Sequence, residues 1–193
     1  MISKSYYSAI RLNRFSIYLL LVLLTIGCND SSEIEPDEEF GDAVALLNGI
    51  PWESSEVSII SLQTVPKKFS LNINISNQFG DRRESFNIDG ILGKLGRQNV
   101  VSTERNDFQE VFTHYSTWAA DGDALLDFYL LDTTTVNNYV VINSYNSQAL
   151  EISGEFKVSF TIALQGSDQR DPPEKIVFTN GRFTAKVEPG WFD

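Results

Sequence analysis

Between Phe69 and Ser76 the side chains alternate: Phe69, Leu71, Ile73 and Ile75 are apolar, while Ser70, Asn72, Asn74 and Ser76 are polar. A period of two places each set on one face of a β-strand, whereas a helix would scatter both. Glu151 to Leu164 repeats the pattern at greater length. Ile152, Phe156, Val158, Phe160 and Ile162 share one parity, and Glu151, Ser153, Glu155 and Lys157 share the other. One buried face and one wet face is the habit of antiparallel sheets.

The run Glu174 to Val187 breaks its own parity. Ile176 and Phe178 fall on one side of the alternation, and Phe183, Ala185 and Val187 fall on the other. A regular strand would turn half of these groups to water. Asn180-Gly181 lies at the break, and either a tight hairpin or a bulge there restores the pattern. The bulge is favoured, because the long strand Glu151 to Leu164 needs a partner of similar length across the loop Gln165 to Pro173. Asn48-Gly49, between Ala45-Leu46-Leu47 and Ile50-Pro51-Trp52, predicts a two-residue hairpin.

Further strands are predicted over Val57 to Val65, Ser85 to Asp89, Gln98 to Val101, Glu110 to Trp118, Leu125 to Leu131 and Asn138 to Tyr145. Val65-Pro66-Lys67-Lys68 and Arg170-Asp171-Pro172-Pro173 read as loops, since proline lacks the donor a central strand needs. Many short strands separated by turn residues imply an all-β fold. Because sequential strands most often pair, the expectation is a single antiparallel meander of about 9–10 strands, forming a β-sandwich or a lipocalin-like barrel.

The pattern of the first 40 residues is different. Lys4, Arg11 and Arg14 precede an apolar stretch from Phe15 to Ile26, then Gly27 and Cys28. This is the layout of a secretory signal. The stretch is shorter than the roughly 20 apolar residues a membrane-spanning helix requires. Leu23-Leu24-Thr25-Ile26-Gly27-Cys28 resembles the lipobox of bacterial lipoproteins, although Thr25 stands where that motif usually has leucine. The resemblance implies cleavage before Cys28 and lipidation of its thiol. Cys28 is the sole cysteine, so an exported chain has no internal disulfide to make with it. A single acyl chain anchors only marginally, whereas the multiple chains implied by the resemblance hold a domain at a membrane.

Loss of residues 1–27 removes three of the 15 basic groups and none of the 26 acidic ones, which takes the formal charge from −11 to −14. So acidic a chain offers no positive face to nucleic acid and little attraction to anionic lipid. Acids crowd the segment after the cysteine, from Asp30 and Glu33 to Asp37, Glu38 and Glu39. With few apolar side chains to offset the entropy of ordering, that segment reads as a tether. The expected organisation is a lipoprotein signal over 1–27, an acidic tether over 28–40 and one all-β domain over 41–193. An acidic tract soon after the cysteine also resembles the surface-export signal of Bacteroidota lipoproteins. Outer-membrane attachment, on the periplasmic or the cell-surface face, is the implied location.

Leu47-Asn48-Gly49-Ile50-Pro51-Trp52, Ile152-Ser153-Gly154-Glu155-Phe156 and Ile176 to Phe183 resemble recurrent elements of uncharacterised Bacteroidota lipoprotein domains. These are turn, core and bulge residues. The resemblance implies a small secreted β protein and carries no assigned chemistry.

Catalytic motifs are absent from the sequence. His114 is the sole histidine, which excludes a histidine-rich metal site and leaves a Ser-His-Asp triad one base to choose from. No nucleophile elbow, Walker loop, dinucleotide fingerprint or cysteine pair occurs. Asp121-Gly122-Asp123 resembles the start of a calcium loop but lacks the later ligands, so a turn between strands is expected. Asp132-Thr133-Thr134 resembles the O-glycosylation acceptor sequence of Bacteroidota. No catalytic residue, metal ligand or cofactor is expected.

Aromatic residues are the remaining candidates. Tyr115, Trp118, Phe128, Tyr129, Tyr139 and Tyr145 lie in the middle of the chain, where aromatics either fill a core or form a ligand platform. Tyr115 and Trp118 are the ligand-binding candidates. The sequence therefore suggests a membrane-anchored, non-catalytic binding module for a glycan, an apolar small molecule or an envelope protein. A structural component of the envelope and a carboxylate-dependent hydrolase are the alternatives. The membrane contact runs through Cys28 only, and no nucleic acid partner is expected.

Overall fold

The computed structural model describes residues 41–64, 66–104, 108–166, 171–190 and 192. Cys28 and the acidic tether lie outside the described residues. The alternating runs form strands β1 (Ala43–Leu47), β2 (Ile50–Glu53), β3 (Glu56–Leu62), β4 (Lys68–Ser76), β5 (Arg82–Leu92) and β6 (Gly96–Ser102), followed by β7 (Val111–Trp118), β8 (Leu125–Leu131), β9 (Tyr139–Asn146), β10 (Glu151–Leu164) and β11 (Lys175–Lys186). The all-β reading holds, with eleven strands among the described residues in one mixed, mostly antiparallel sheet.

Both Asn-Gly pairs act as the sequence predicts. Asn48 and Gly49 have φ of 50° and 84°, and they join β1 to β2 with Leu47 opposite Ile50. Such a turn suits the twist of the two strands and needs positive φ at both positions. Asn180, at φ 53°, sits inside β11 without ending it. The register against β10 shifts there, between Phe156 and Val158, so Phe178 and Phe183 both reach the core despite their opposite parity.

The sheet curls until its ends meet. β3, β4, β5 and β7 pair in turn, β7 pairs β8, β8 pairs β10, and β10 pairs β11. Gly41 completes the circuit. Its N–H donates to Val57 O at 3.1 Å and its carbonyl accepts from Val57 N at 3.2 Å, while Asp42 O accepts from Thr184 N on β11 at 2.9 Å. The result is a barrel-like sheet.

Rings from opposite walls fill its interior. Phe86 of β5 stacks on Phe178 of β11 at 4.9 Å and meets Phe156 and Phe160 of β10 edge-on at 5.1 and 5.5 Å. Phe69, Leu71, Ile73 and Ile88 add fully buried aliphatic and aromatic surface from β4 and β5. Burying a side chain of this size stabilises the fold by about 1.5–3 kcal/mol relative to exposure.

The topology departs from a simple meander at β6. Strand β6 leaves its neighbour β5, pairs antiparallel with β9, and touches β7 in parallel at Val100 and Ser102. A side chain stands in for the missing hairpin partner. Buried Gln98 accepts from Leu92 N at 2.8 Å and donates to Leu92 O at 3.0 Å, satisfying the backbone at the end of β5. β10 is shared in a similar way, with Glu151 to Lys157 paired to β9 and Phe160 to Leu164 paired to β8. Buried Asn138 bridges this handover, accepting from Ser159 N at 2.8 Å and donating to Asp132 O at 3.1 Å.

Candidate functional site

The outer face of β3, β4, β5 and β7 carries two aligned rows of polar side chains. Ser58 lies opposite Asn72, Asn72 opposite Asn87, and Asn87 opposite His114. In the neighbouring row Glu56 lies opposite Asn74, Asn74 opposite Ser85, and Ser85 opposite Ser116. The same strands send Ile73, Phe86, Ile88 and Tyr115 into the core. The alternation that builds the interior therefore also builds this polar exterior.

The rows form the floor of an open depression of about 540 Å³. Ser85 and Ser116 are buried at its base, and the amides of Asn72, Asn74 and Asn87 stand at intermediate exposure above them. Asn87 Nδ2 donates to Ser85 Oγ at 3.0 Å and lies 3.1 Å from His114 Nε2. Trp118 lines the depression beside Arg82, whose guanidinium carbon sits 5.3 Å from the indole centroid. The indole N–H donates to Ser116 Oγ at 3.2 Å, which fixes the ring against the floor. Ile60 and Leu62 supply apolar surface elsewhere on the lining. Past Glu56, Asn74 and Arg82 the depression continues to the turn Asp121-Gly122-Asp123.

Tyr115 and Trp118, paired as ligand candidates in the sequence, are separated by the fold. Three positions apart in one strand, they face opposite ways. Tyr115 is only 2% exposed, and its O–H donates to Glu84 Oε2 at 2.8 Å inside the barrel. Trp52 Nε1 donates to the same oxygen at 2.8 Å. Burial, reinforced by Glu84, holds the Tyr115 phenol far above its ordinary value, so it stays protonated. Tyr115 is thus a core residue, and Trp118 alone of the pair reaches the groove.

The other central aromatics do not converge. Tyr129 is buried beside Tyr115 at 5.7 Å, Phe128 lies 5.4 Å from His114, Tyr139 carries Arg97 at 4.0 Å, and Tyr145 stacks on Phe192 at 4.8 Å.

Asp121-Gly122-Asp123 forms the turn between β7 and β8, closed by Gly122 N donating to Ala119 O at 2.9 Å. Among the described residues no three His, Cys, Asp or Glu side chains are arranged to hold a metal ion. Asp132 caps its own turn. Its carboxylate accepts from Thr134 N at 2.9 Å, from Thr135 Oγ1 at 2.9 Å and from Lys175 Nζ at 2.5 Å, and Lys175 above all holds it well below the usual carboxylate range. Thr133, between Asp132 and Thr134, is exposed.

The Ser and Asn rows were not singled out by sequence reasoning. Ser70, Asn72 and Asn74 are visible as the polar parity of one strand, but their alignment with Asn87, His114 and Ser116 depends on cross-strand register. A signal was available nonetheless. Asparagine is depleted in strands, and here it recurs at strand centres on one face.

No family model matches this chain, and neither a curated protein nor a solved structure does.

Proposed function

We propose that this protein is an exported envelope lipoprotein, anchored in the outer membrane through acyl chains on Cys28, whose β domain is a non-catalytic binding module. The observation that carries the binding reading is the groove over β3, β4, β5 and β7. It is concave, open and floored by short polar side chains, and its 540 Å³ falls within the roughly 300–1,000 Å³ typical of small-molecule sites. The barrel interior, which a lipocalin-like carrier would use, is occupied by Phe86, Phe156, Phe160 and Phe178 packed ring against ring. Ligand therefore docks outside the barrel. The lipobox-like residues before Cys28 and the acidic tract after it support attachment and a spacer long enough to lift the domain from the lipid.

Hydrogen-exchange mass spectrometry on the full chain in detergent, with and without a whole-envelope extract holding polysaccharide, lipid and protein, tests this reading. Protection confined to Glu56–Leu62, Lys68–Ser76, Arg82–Leu92 and Val111–Trp118 is the expected result. Protection elsewhere, or none, contradicts it.

A further inference from the structure

We infer that the groove takes a neutral, hydroxyl-rich ligand, an oligosaccharide, held by the asparagine and serine rows with Trp118 as its apolar wall. This deepens the binding-module reading and rests on it.

The chemistry of the floor selects the class. A side-chain amide has both donors and acceptors, and a serine hydroxyl donates and accepts. Ser58, Asn72 and Asn87 in one row, and Asn74, Ser85 and Ser116 in the next, therefore present mixed donors and acceptors without net charge. The strands repeat every ~4.8 Å and same-face residues along a strand every ~6.6 Å. Apart from Glu56 at the end of the second row and His114 at the end of the first, the floor is thus a two-dimensional grid of neutral hydrogen-bonding groups. Among the described residues neither the Asn72 nor the Asn74 side-chain amide has a hydrogen-bond partner, so both remain for a ligand. Sugar hydroxyls, which also donate and accept, match such a grid.

Other classes fit less well. An apolar ligand would strip water from the amides and hydroxyls and return no hydrogen bonds, a costly exchange for each group. An anion would face Glu56 and Asp89 on the same lining, with Arg82 already drawn over Trp118. Beside Arg82, the half-exposed indole supplies what the grid lacks, apolar surface for the C–H face of a sugar ring. Its N–H is already used by Ser116.

The rows also run against local stability. Strand centres favour β-branched and aromatic residues and disfavour asparagine. On the outer face of β10 the corresponding run is Glu151, Ser153, Glu155 and Lys157, three of the four being long charged side chains of the ordinary kind. Asn72, Asn74 and Asn87 break a local rule together on one face, as functional surfaces do.

Isothermal titration of the full chain, in a detergent without a sugar headgroup, tests the ligand class. The probes are neutral cello-, xylo-, malto- and manno-oligosaccharides, an oligogalacturonate and octanoate. The inference expects at least one neutral oligosaccharide to bind, and Asn72→Thr and Trp118→Ala each to weaken it about tenfold or more. Asn72→Thr should leave the melting temperature unchanged or higher, because threonine suits the strand. Neutral binding that survives both substitutions overturns the inference, as does a panel in which no neutral oligosaccharide binds. Should only oligogalacturonate or octanoate bind, with sensitivity to Trp118→Ala, the ligand class fails while the groove stands as a binding site. If no probe binds and the envelope extract protects no groove strand, both fail.

Discussion

The phenol of Tyr115 and the carboxylate of Glu84 meet inside the barrel, with Tyr115 Oη donating to Glu84 Oε2 at 2.8 Å. Trp52 Nε1 donates to that same oxygen, so one acceptor ties β2, β5 and β7 together at the edge of the aromatic core.

Tyr115→Phe removes one donor from this junction without opening a cavity. Hydrogen bonds to carboxylates contribute about 1.5–3 kcal/mol, so urea denaturation at neutral pH should show a loss of that order. The loss should also depend on pH. Tyr115 is held above its ordinary value of 10.0, so below pH 10 it is neutral in both the folded and the unfolded chain. Above that value the unfolded chain releases the proton while the folded one keeps it, and the stability from this group declines as pH rises. The gap between wild type and Tyr115→Phe should therefore narrow above pH 10, and a constant gap would disprove the assignment.

Asp132 works in the opposite direction. Its pKa is held below the ordinary 3.8, by Lys175 first and then Thr134, while burial opposes both. The folded chain keeps the charge where the unfolded chain takes up a proton, so this contribution is complete above pH 3.8 and fades as pH falls below it. Lys175→Met removes the largest cause. Acid denaturation of that variant should show a shallower stability loss below pH 3.8, and carboxyl NMR titration should show Asp132 moving back towards its ordinary value.

Gly154 of β10 lies opposite Ile142 of β9 and Phe183 of β11. A methyl group there would run into the Val141 carbonyl oxygen and the Phe183 ring. Gly154→Ala should cost about 1–3 kcal/mol through displaced backbone or a distorted Phe183 rotamer. A thermal scan resolves a change of this size, and an unchanged melting temperature would show that the strands have room to spare.

Local features were legible in the chain because their physics is local. The alternation Phe69 to Ser76 gave β4 within one residue, and the parity break at Asn180-Gly181 gave the bulge in β11. Asn48-Gly49 gave its hairpin. What escaped depends on partners distant in sequence. Gln98 taking over the hydrogen bonds of Leu92, and so freeing β6 to join β9, follows from packing that no window of sequence contains. The groove is similar. Asn72 and Asn87 are both visible as polar residues, but only the register of β4 on β5 sets them side by side. Tyr115 and Trp118 were a missed inference of a simpler kind, since their separation by three along one strand already assigns them to opposite faces.

The proposed place of this groove, displayed at an outer-membrane surface, rests on Cys28. Intact-mass analysis of the chain isolated from the membrane fraction measures that directly. The expected species has lost residues 1–27 and carries the added mass of acyl chains on Cys28. A chain that keeps Met1, or one cut before Cys28 with a free thiol and found in the soluble fraction, would contradict it.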